Sequence, residues 1–444
     1  MDETIFKAYD VRGTVPDQFD ADGARAIGGA FARFVSGQGA GSIVVGRDMR
    51  PEGEEFVDAF ADGAMTHGID VVDIGLCATD MLYYASGVLR APGAVFTASH
   101  NPVGYNGIKM CLAEAAPIGA DTGLGEIRDM AKAGPDPAAR RGARTEEDML
   151  EGYVAHVRSF VDLDALAPLR VVADTANGMG GLVLPAVMDG LPFEVDHLYP
   201  ELDGTFPNHP ADPIQPENQR DLMARVLETG ADVGLAFDGD ADRVFLVDET
   251  ARGISGSLTT AMVARSILER EPGATIIHNL ICSKSVPEVV RENGGTPVRT
   301  RVGHSFIKAV MAETGAAFGG EHSGHYYFRD NYRADSGLIA ALVVLEALSR
   351  HPAGLADLVS GVDRYAASGE INTRVDDTGT VIERVAAAYA DAHQDRLDGL
   401  TVDLGDWWFN LRPSNTEPLL RLNLEAATPA DAERRVAEVR SHFG

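Results

Sequence analysis

Three aspartates at alternate positions form the most specific chemical feature of this 444-residue sequence. The stretch Asp-Gly-Asp-Ala-Asp-Arg occupies positions 238–243, directly after an apolar run that predicts a strand. If the stretch is extended, the carboxylates of Asp238, Asp240 and Asp242 point to one side and can surround one hard cation. Three carboxylate oxygens leave part of the octahedral shell of Mg²⁺ free for a phosphate and water. A solvated acidic turn is the alternative, although such close carboxylates repel one another without a cation.

An EF-hand is the competing type of metal site, and it does not fit these residues. Glu249 falls at the closing position of such a loop, but Arg243 stands where the loop requires glycine. An apolar strand predicted at 244–247 also crosses the second half of the supposed loop. We therefore predict a Mg²⁺ site and reject the calcium loop.

A serine that can carry a phosphoryl group lies in a second polar stretch. Thr-Ala-Ser-His-Asn-Pro occupies positions 97–102 after a predicted strand, and Asn-Gly-Ile-Lys follows at 106–109. Phosphoryl transfer needs a hydroxyl, a cation that offsets the phosphate charge and a group that moves protons. Ser99, Lys109 and His100 supply these groups if asparagine-anchored turns bring Lys109 back toward Ser99. Ser-His-Asn-Pro is also a good turn sequence, so an ordinary turn is the alternative.

Two further stretches carry groups that bind sugar hydroxyls or anions. Glu321, Ser323 and His325 alternate in one loop, where they can hydrogen-bond vicinal hydroxyls; a plain turn is the alternative. The stretch Arg-Val-Gly-His-Ser at 301–305 precedes a predicted helix, whose amino end can bind an anion. A simple helix cap at Ser305 is the alternative there.

The last polar stretch predicts a second phosphate site. Arg-Pro-Ser-Asn-Thr-Glu-Pro occupies 412–418, and Arg421 lies on the next predicted strand. Hydroxyls, an amide and two guanidinium groups suit a phosphate, whereas a capped polar turn is the alternative. Near the amino end, Arg12 lies in a predicted turn and is a candidate contact of phosphorylated Ser99. A surface ion pair better explains Arg47.

Alternating strands and helices must position these stretches. Three successive α/β units each end their third strand in a polar loop, at 98, 238 and 319. Because ligands bind outside the carboxyl ends of strands in such sheets, the three loops can converge on one cleft. The tail predicts a separate α+β domain with a helix at 381–393. Linkers near 134–147, 250–255 and 368–371 predict four domains, which span residues 1–145, 146–252, 253–368 and 369–444.

The composition restricts the classes of partner. The chain has 38 basic and 67 acidic residues and a formal charge of −29, which argues against nucleic acid and anionic membranes. An anionic substrate therefore requires cations concentrated at its site. Cys77, Cys111 and Cys282 form neither a zinc pattern nor a disulfide framework, so we expect buried free thiols. The acidic amino end is unlike a signal peptide and no apolar stretch is bilayer-spanning, so we expect a cytoplasmic protein.

Taken together, the motifs resemble those of the α-D-phosphohexomutases, and within them the bacterial-type phosphomannomutase/phosphoglucomutase group, along essentially the whole chain. Four motifs carry the resemblance in the expected order, at 97–102, 238–243, 320–325 and 412–418, and Tyr-Asp-Val-Arg-Gly at 9–13 also fits. The resemblance implies three similar mixed α/β domains and a C-terminal α+β, TATA-binding-protein-like domain around a central cleft.

The resemblance also implies roles for the candidate residues. Ser99 would be the phosphoserine and, with Asp238, Asp240 and Asp242, a Mg²⁺ ligand. The other catalytic residues around the phosphoserine would be Arg12, His100, Lys109 and Arg243, with His100 and Lys109 as candidates for proton transfer. The substrate-binding residues would be Arg301, Gly303, His304, Glu321, Ser323, His325, Arg412, Ser414, Asn415, Thr416 and Arg421.

The implied activity interconverts mannose 1-phosphate and mannose 6-phosphate, with a hexose bisphosphate as intermediate and activator. Glucose phosphates are a further substrate class, and a phosphoglucomutase or a phosphoglucosamine mutase is the alternative. His322 stands where several related enzymes carry Met or Gln, which argues against glucosamine, and Arg301 stands where lysine is common. A phosphatase and a non-catalytic sugar-phosphate-binding regulator are the competing functions. A monomer and a homodimer are both compatible with the sequence.

Overall fold

The first of four sheets carries the Ser99 loop. The computed structural model describes residues 2–413 and 419–443, with all side chains in these ranges except those at 121 and 304. The first unit consists of β1 (Val11–Thr14), α1 (Ala21–Ser36), β2 (Ser42–Arg47), α2 (Gly53–Thr66), β3 (Asp70–Leu76), α3 (Thr79–Leu89), β4 (Gly93–Phe96), β5 (Tyr105–Cys111), α4 (Gly125–Ala133) and β6 (Arg144–Glu146). Its strand order is β1-β5-β4-β2-β3-β6, with β1, β5 and β4 antiparallel and the rest parallel.

The second sheet carries the three-aspartate loop between its neighbouring antiparallel strands β9 and β10. This unit consists of α5 (Leu150–Arg158), β7 (Leu169–Asp174), α6 (Gly180–Met188), β8 (Phe193–Leu198), α7 (Arg220–Thr229), β9 (Val233–Phe237), β10 (Val244–Asp248) and β11 (Gly253–Ile254). The strand order is β11-β10-β9-β7-β8. Both strands that flank the loop are wholly buried, so they place it on a rigid base.

The third sheet repeats this plan, with order β13-β12-β14-β15. Its unit consists of α8 (Gly256–Arg270), β12 (Thr275–Asn279), α9 (Ser285–Glu292), β13 (Thr296–Thr300), α10 (His304–Thr314), β14 (Phe318–Gly320), β15 (Tyr326–Phe328), α11 (Gly337–Ser349) and α12 (Leu355–Ser360). The loop with Glu321, Ser323 and His325 connects the antiparallel pair β14 and β15.

The fourth sheet is antiparallel throughout, with order β16-β20-β19-β18-β17. It is built from β16 (Ala366–Arg374), α13 (Thr378–Ala388), β17 (His393–Asp395), β18 (Leu400–Asp403), β19 (Trp408–Pro413), β20 (Leu419–Ala426) and α14 (Pro429–Arg440). Three mixed α/β units followed by an α+β unit confirm the predicted fold class.

The cores show how these units are joined. One cluster of buried apolar residues runs through the first three units, and the almost wholly buried helix α11 lies within it. The fourth unit has its own core around Val385, Phe409 and Leu422. The three α/β units therefore form one packed body, to which the fourth unit attaches mainly through polar groups such as Lys284, which contacts Asp403.

Several local predictions differ from the structure. Lys109 lies on strand β5, where Val95 of β4 is its partner, and not in a turn-rich loop. Arg12 lies on β1 rather than in a turn, because residues 11–14 pair with 105–108. The helix predicted at 381–393 ends at Ala388, where the chain turns to form β17.

All three predicted linkers contain strands. Residues 144–146 form β6 against β3, residues 253 and 254 form β11 against β10, and residues 368–371 lie inside β16, where a β-bulge interrupts the pairing with β20. Composition indicated irregular chain at these places, but the unpaired N–H and C=O groups at a sheet edge can also pair with a polar segment.

Three further predictions concern the cysteines, Arg47 and Ser305. The three cysteines are buried free thiols, and Arg47 pairs with Glu54 at 3.6 Å, both as predicted. Ser305 does not cap α10, which begins at His304 after Gly303. Among the described residues, no helix is both long and apolar enough to cross a membrane.

Candidate active site

Ser99 lies in the loop between β4 and β5 with its hydroxyl directed at the second unit. Its side chain is buried, with 4% of the residue exposed. Ser99 Oγ donates to Asp238 Oδ2 at 2.7 Å and lies 3.2 Å from His100 Nδ1 and 3.4 Å from Arg243 Nη2. The serine and the aspartate loop, 139 residues apart in sequence, therefore form one site.

The backbone at Ser99 adopts a conformation that favours glycine. Its φ is +48°, in the left-handed region that few non-glycine residues occupy. The amide N–H of Ser99 donates a hydrogen bond to Thr97 Oγ1 at 2.9 Å, so a residue of the same loop stabilises the turn. Gly239 packs against the other side, because a Cβ there would lie 2.5 Å from the Ser99 carbonyl oxygen. The glycine between the first two aspartates thus permits a close approach of the two loop backbones.

The three aspartates converge, but the loop is a turn and not an extended stretch. Ala241 has a φ of +62°, which brings its flanking carboxylates onto the same side. One oxygen from each of Asp238, Asp240 and Asp242 lies within 4.8 Å of the others, and all three residues are buried. Asp240 Oδ1 and Asp242 Oδ1 have no hydrogen-bond partner. Buried, unpartnered carboxylate oxygens at this spacing fit a hard divalent cation.

Lys109 reaches the same carboxylates from β5. Its ammonium lies 2.6 Å from Asp240 Oδ2 and 2.5 Å from Asp242 Oδ2, and Thr79 Oγ1 also donates to Asp240, at 2.6 Å. Burial opposes the charge of Lys109, but Asp240 and Asp242 raise its pKa well above the usual value. Burial likewise acts to raise the pKa of Asp240, and the adjacent ammonium outweighs it and lowers that pKa. The ammonium thus offsets the mutual repulsion of the acidic loop.

Two arginines and a histidine complete the surroundings of the serine. Arg243 Nε donates to Asp238 at 2.9 Å, and Arg12 donates to Ala98 O at 3.3 Å. The positive charge of Arg243 and then burial lower the pKa of His100 well below its usual value. The imidazole is therefore neutral near pH 7, and a neutral ring can accept a proton.

The loop of the third unit joins this group through His325. Its Nε2 lies 3.7 Å from Asp242 Oδ1, and a β-bridge pairs His325 with Arg243. Ser323 Oγ lies 2.9 Å from His325 Nδ1. Glu321 is buried at 3% exposure, and its carboxylate accepts from Asn279 at 3.0 Å and from Tyr327 at 2.7 Å. The Glu321 carboxylate is therefore hydrogen-bonded to other residues of the third unit.

The amino end of α10 approaches the first unit closely. Gly303 has a φ of +131°, and a Cβ at this position would lie 2.5 Å from the Tyr9 hydroxyl. Arg301 lies with its guanidinium 4.4 Å from the centre of the Phe306 ring, and no side chain is described for His304. Tyr9 therefore connects the first unit to this helix terminus.

The phosphate site predicted in the tail is described in part. Ser414, Asn415 and Thr416 lie outside the described residues. Arg412 and Arg421 are directly opposite each other on β19 and β20, and each lies 3.4 Å from Glu370. Like charges in opposite positions destabilise a sheet unless a counter-charge is present, and both Nε atoms are buried without a hydrogen-bond partner. This arginine pair therefore suits an anion.

A cavity of about 180 Å³ lies over Ser99. Its lining consists of Tyr9, Asp10, Arg12, Tyr83, Ser99, His100, Lys109, Asp242, Arg243, His325 and Asp335. The described candidate residues that do not line it are Asp238, Asp240, Arg301, Gly303, Glu321, Ser323, Arg412 and Arg421. The sequence interpretation missed Tyr83, on α3, and Asp335, just before α11. Tyr83 stands in no polar motif, whereas Asp335 lies in the polar stretch at 329–336, which could have signalled it.

Models of known protein families match this chain in four parts. Those described as alpha/beta/alpha domains I, II and III of phosphoglucomutase/phosphomannomutase match residues 3–136, 151–253 and 255–365. The model of the C-terminal domain matches residues 370–442. A protein named "Phosphohexose mutases" from Xanthomonas campestris pv. campestris (strain ATCC 33913) is 42% identical over 445 residues, 98% of each chain. This chain belongs to the phosphoglucomutase/phosphomannomutase family.

Other members agree over nearly the full length. A phosphomannomutase from Salmonella montevideo is 41% identical over 437 residues, 95% of each chain. A solved structure of a phosphoglucomutase/phosphomannomutase family protein from Burkholderia thailandensis has a TM-score of 0.91 and 35% identity, and the match covers 100% of this chain and 97% of that one. The four-unit fold is thus the fold of the family.

Proposed function

We propose that this protein is a phosphomannomutase that interconverts mannose 1-phosphate and mannose 6-phosphate, with glucose phosphates as a second substrate class. The observation that carries the proposal is the hydroxyl of Ser99, 2.7 Å from a carboxylate of the three-aspartate cluster and beside Arg243. Relatives at about 40% identity that are named phosphomannomutase support the same activity.

The reaction begins with a phosphoryl group on Ser99. Its P–O bond to Ser99 Oγ breaks while a sugar hydroxyl oxygen forms a new P–O bond, giving a hexose bisphosphate. The hydroxyl proton passes to a base, and the short distance of 3.2 Å between His100 Nδ1 and Ser99 Oγ supports His100 in that role. After the bisphosphate turns over in the cleft, its other phosphoryl group returns to Ser99 and the isomeric monophosphate leaves.

Charge stabilisation falls to the cations of the site. Lys109, Arg12 and Arg243 offset the charge of the transferred phosphoryl group, and the raised pKa of Lys109 supports its role as a cation. Glu321, Ser323 and His325 would hold the sugar hydroxyls. The non-transferred phosphate would be held by Arg412, Ser414, Asn415, Thr416 and Arg421, with Arg301, Gly303 and His304 beside the substrate.

Mg²⁺ is the proposed metal, held by Asp238, Asp240, Asp242 and Ser99. When bound, it supplies positive charge to the transferred phosphoryl group. We expect a chelator to abolish turnover and added Mg²⁺ to restore it. Asp240→Asn should weaken Mg²⁺ binding at least about tenfold by isothermal titration, because it removes one ligand charge. The matched change at the exposed Asp189 should leave binding unchanged, and equal affinities in both variants would contradict the assignment.

The activity is tested with mannose 1-phosphate, Mg²⁺ and a hexose bisphosphate primer. Ser99→Ala should lower turnover on the order of a thousandfold or more, because the variant lacks the hydroxyl that carries the phosphoryl group. Ser360→Ala, at an exposed serine on α12, should keep wild-type turnover. Intact mass of the wild type after incubation with the primer should show one added phosphoryl group, absent in Ser99→Ala.

The alternatives give different results in the same assay. Faster turnover of glucose 1-phosphate would identify a phosphoglucomutase, and turnover of glucosamine 1-phosphate a phosphoglucosamine mutase. Phosphate release without isomerisation would indicate a phosphatase. Binding without turnover, with Mg²⁺ and primer present, would indicate a sugar-phosphate-binding regulator. We further propose a cytoplasmic monomer or homodimer that binds neither nucleic acid nor membrane, which the charge of −29 supports.

A further inference from the structure

Arg50 is a buried arginine whose guanidinium holds the loop that carries Ser99. Only 2% of the residue is exposed. Nη2 donates to the carbonyl oxygens of Ser99 at 2.9 Å and Asn101 at 2.7 Å. Nη1 donates to the carbonyl oxygens of Tyr105 at 2.8 Å and Pro102 at 3.2 Å. One side chain thus satisfies four main-chain carbonyls between β4 and β5.

The guanidinium is itself held from both sides. The carboxylate of Asp48, wholly buried, accepts from the Arg50 amide at 2.9 Å and lies 3.4 Å from Nε. From the second unit, the ring of Phe206 covers the guanidinium at 5.2 Å. A Cβ on Gly204 would lie 2.7 Å from Arg50 Cα, so that segment packs directly against the arginine. Arg50 therefore connects the Ser99 loop of the first unit to the second unit.

The Ser99 loop needs such a support. Ser99 is in the left-handed region, which a serine adopts only where its surroundings hold it. Its carbonyl oxygen contacts Arg50 on one side and the backbone of Gly239 on the other. The orientation of this peptide sets where Ser99 Oγ stands relative to Asp238, and reacting groups must lie within a few tenths of an ångström of a productive geometry.

We propose that Arg50 is a positioning residue for phosphoryl transfer and that it acts through the Ser99 main chain. Both of its terminal nitrogens are occupied by loop carbonyls and it does not line the cavity over Ser99, so it offers no group to the substrate. The role rests on the proposed mutase function. Lysine cannot replace it, because a point-like ammonium has three donors and lacks the planar fork that reaches four carbonyls.

The test compares Arg50→Lys with Arg47→Lys, the same change three residues earlier. Arg47 pairs only with the exposed Glu54 among the contacts described for it, so its variant should behave as wild type. For Arg50→Lys we expect kcat per folded enzyme to fall about ten- to a hundredfold, while KM for mannose 1-phosphate stays within about twofold. The rate of Ser99 phosphorylation by the primer, followed by intact mass, should fall by the same factor.

Hydrogen exchange supplies a readout that does not depend on activity. Amides in residues 99–105 should exchange faster in Arg50→Lys, while those of β9 and β10 should not change. Wild-type kcat with wild-type exchange would overturn the proposal, as would a raised KM with unchanged kcat, which would mean that Arg50 acts on the substrate. If the wild type itself lacks mutase activity, the proposed function fails, and the exchange comparison still decides whether Arg50 holds the loop.

A second variant covers the case in which Arg50→Lys does not fold. Asp48→Asn keeps the shape beside Arg50 and removes its charge partner. We expect the same pattern with a smaller fall in kcat, about three- to tenfold, and unchanged KM. If Arg50→Lys does not fold, unchanged kcat and unchanged exchange in a folded Asp48→Asn would overturn the positioning role.

Discussion

At the residue scale, the site depends on close contacts that leave no space for an added side-chain atom. The Ser99 carbonyl faces Gly239 so closely that any side chain there would overlap it. The carboxylates of Asp240 and Asp242 share one ammonium, that of Lys109. A small displacement of either loop therefore alters the distance between the serine hydroxyl and the acidic cluster.

Gly239→Ala should lower kcat at least about a hundredfold, since the loops must separate to admit the methyl group and misplace Ser99. Gly41→Ala is the control, because a Cβ at that position meets nothing within 4 Å. Steady-state kinetics and the melting temperature of both variants test this. Wild-type kcat in Gly239→Ala would contradict the close approach.

At the element scale, the helices behind the site meet at one buried carboxyl group. Asp80, on α3, accepts hydrogen bonds of 2.6 Å from Tyr153 on α5 and from Ser336, which caps α11. Its other oxygen is buried without a partner. Burial raises the pKa of Asp80 to about 7, because the charged form is poorly solvated there. Three helices from three units thus depend on a group that gains a proton on folding near neutral pH.

The contribution of Asp80 to the stability of the wild type should therefore fall as pH rises from about 4 to 8. The folded state binds the proton more tightly than the unfolded chain, so the stabilisation is complete below the unfolded pKa and is lost through the folded one. Asp80→Asn lacks this loss, and relative to wild type it should gain up to about 4 kcal/mol across that range. Urea midpoints at several pH values measure the difference. The same change at the exposed Asp406 is the control, and a pH-independent difference for Asp80→Asn would contradict the prediction.

At the scale of the whole molecule, basic side chains are concentrated at two places although the overall charge is negative. A chain of −29 repels an anionic substrate, yet Arg12, Lys109 and Arg243 surround Ser99, and Arg412 and Arg421 stand opposite each other in the fourth unit. The first three units share one core, while the fourth has a separate one. Ser99 and the arginine pair therefore belong to bodies that are packed separately.

Arg421→Ala should raise KM for mannose 1-phosphate about ten- to a hundredfold and change kcat less, because a hydrogen bond to a charged group is worth about 1.5–3 kcal/mol. Arg384→Ala, at an exposed arginine on α13 of the same unit, is the control. Initial rates over a range of substrate concentrations separate the two constants. A fall in kcat at unchanged KM would place Arg421 in the chemical step instead.

Local patterns were enough to predict the fold class, and they indicated which loops carry polar side chains. The aspartate triplet predicted a cation site because its carboxylates are neighbours in the chain, and the alternation of strands and helices predicted three α/β units and a distinct tail. Strand β5 was not predicted, because its polar residues Asn106 and Lys109 resemble a loop until the antiparallel pairing with β4 is known.

By itself, the sequence determined which side chains could do chemistry: a serine, an acidic triplet and clusters of basic and hydroxyl groups. The tertiary structure alone decided which of them meet. Lys109 reaches Asp240 across 131 residues of chain, and Arg50 reaches the carbonyl of Ser99 across 49. Such contacts depend on how separate sheets pack and on which backbone groups remain unpaired after packing. The spacing of residues in the sequence indicates neither, so only the folded structure shows that Arg50 supports the Ser99 loop.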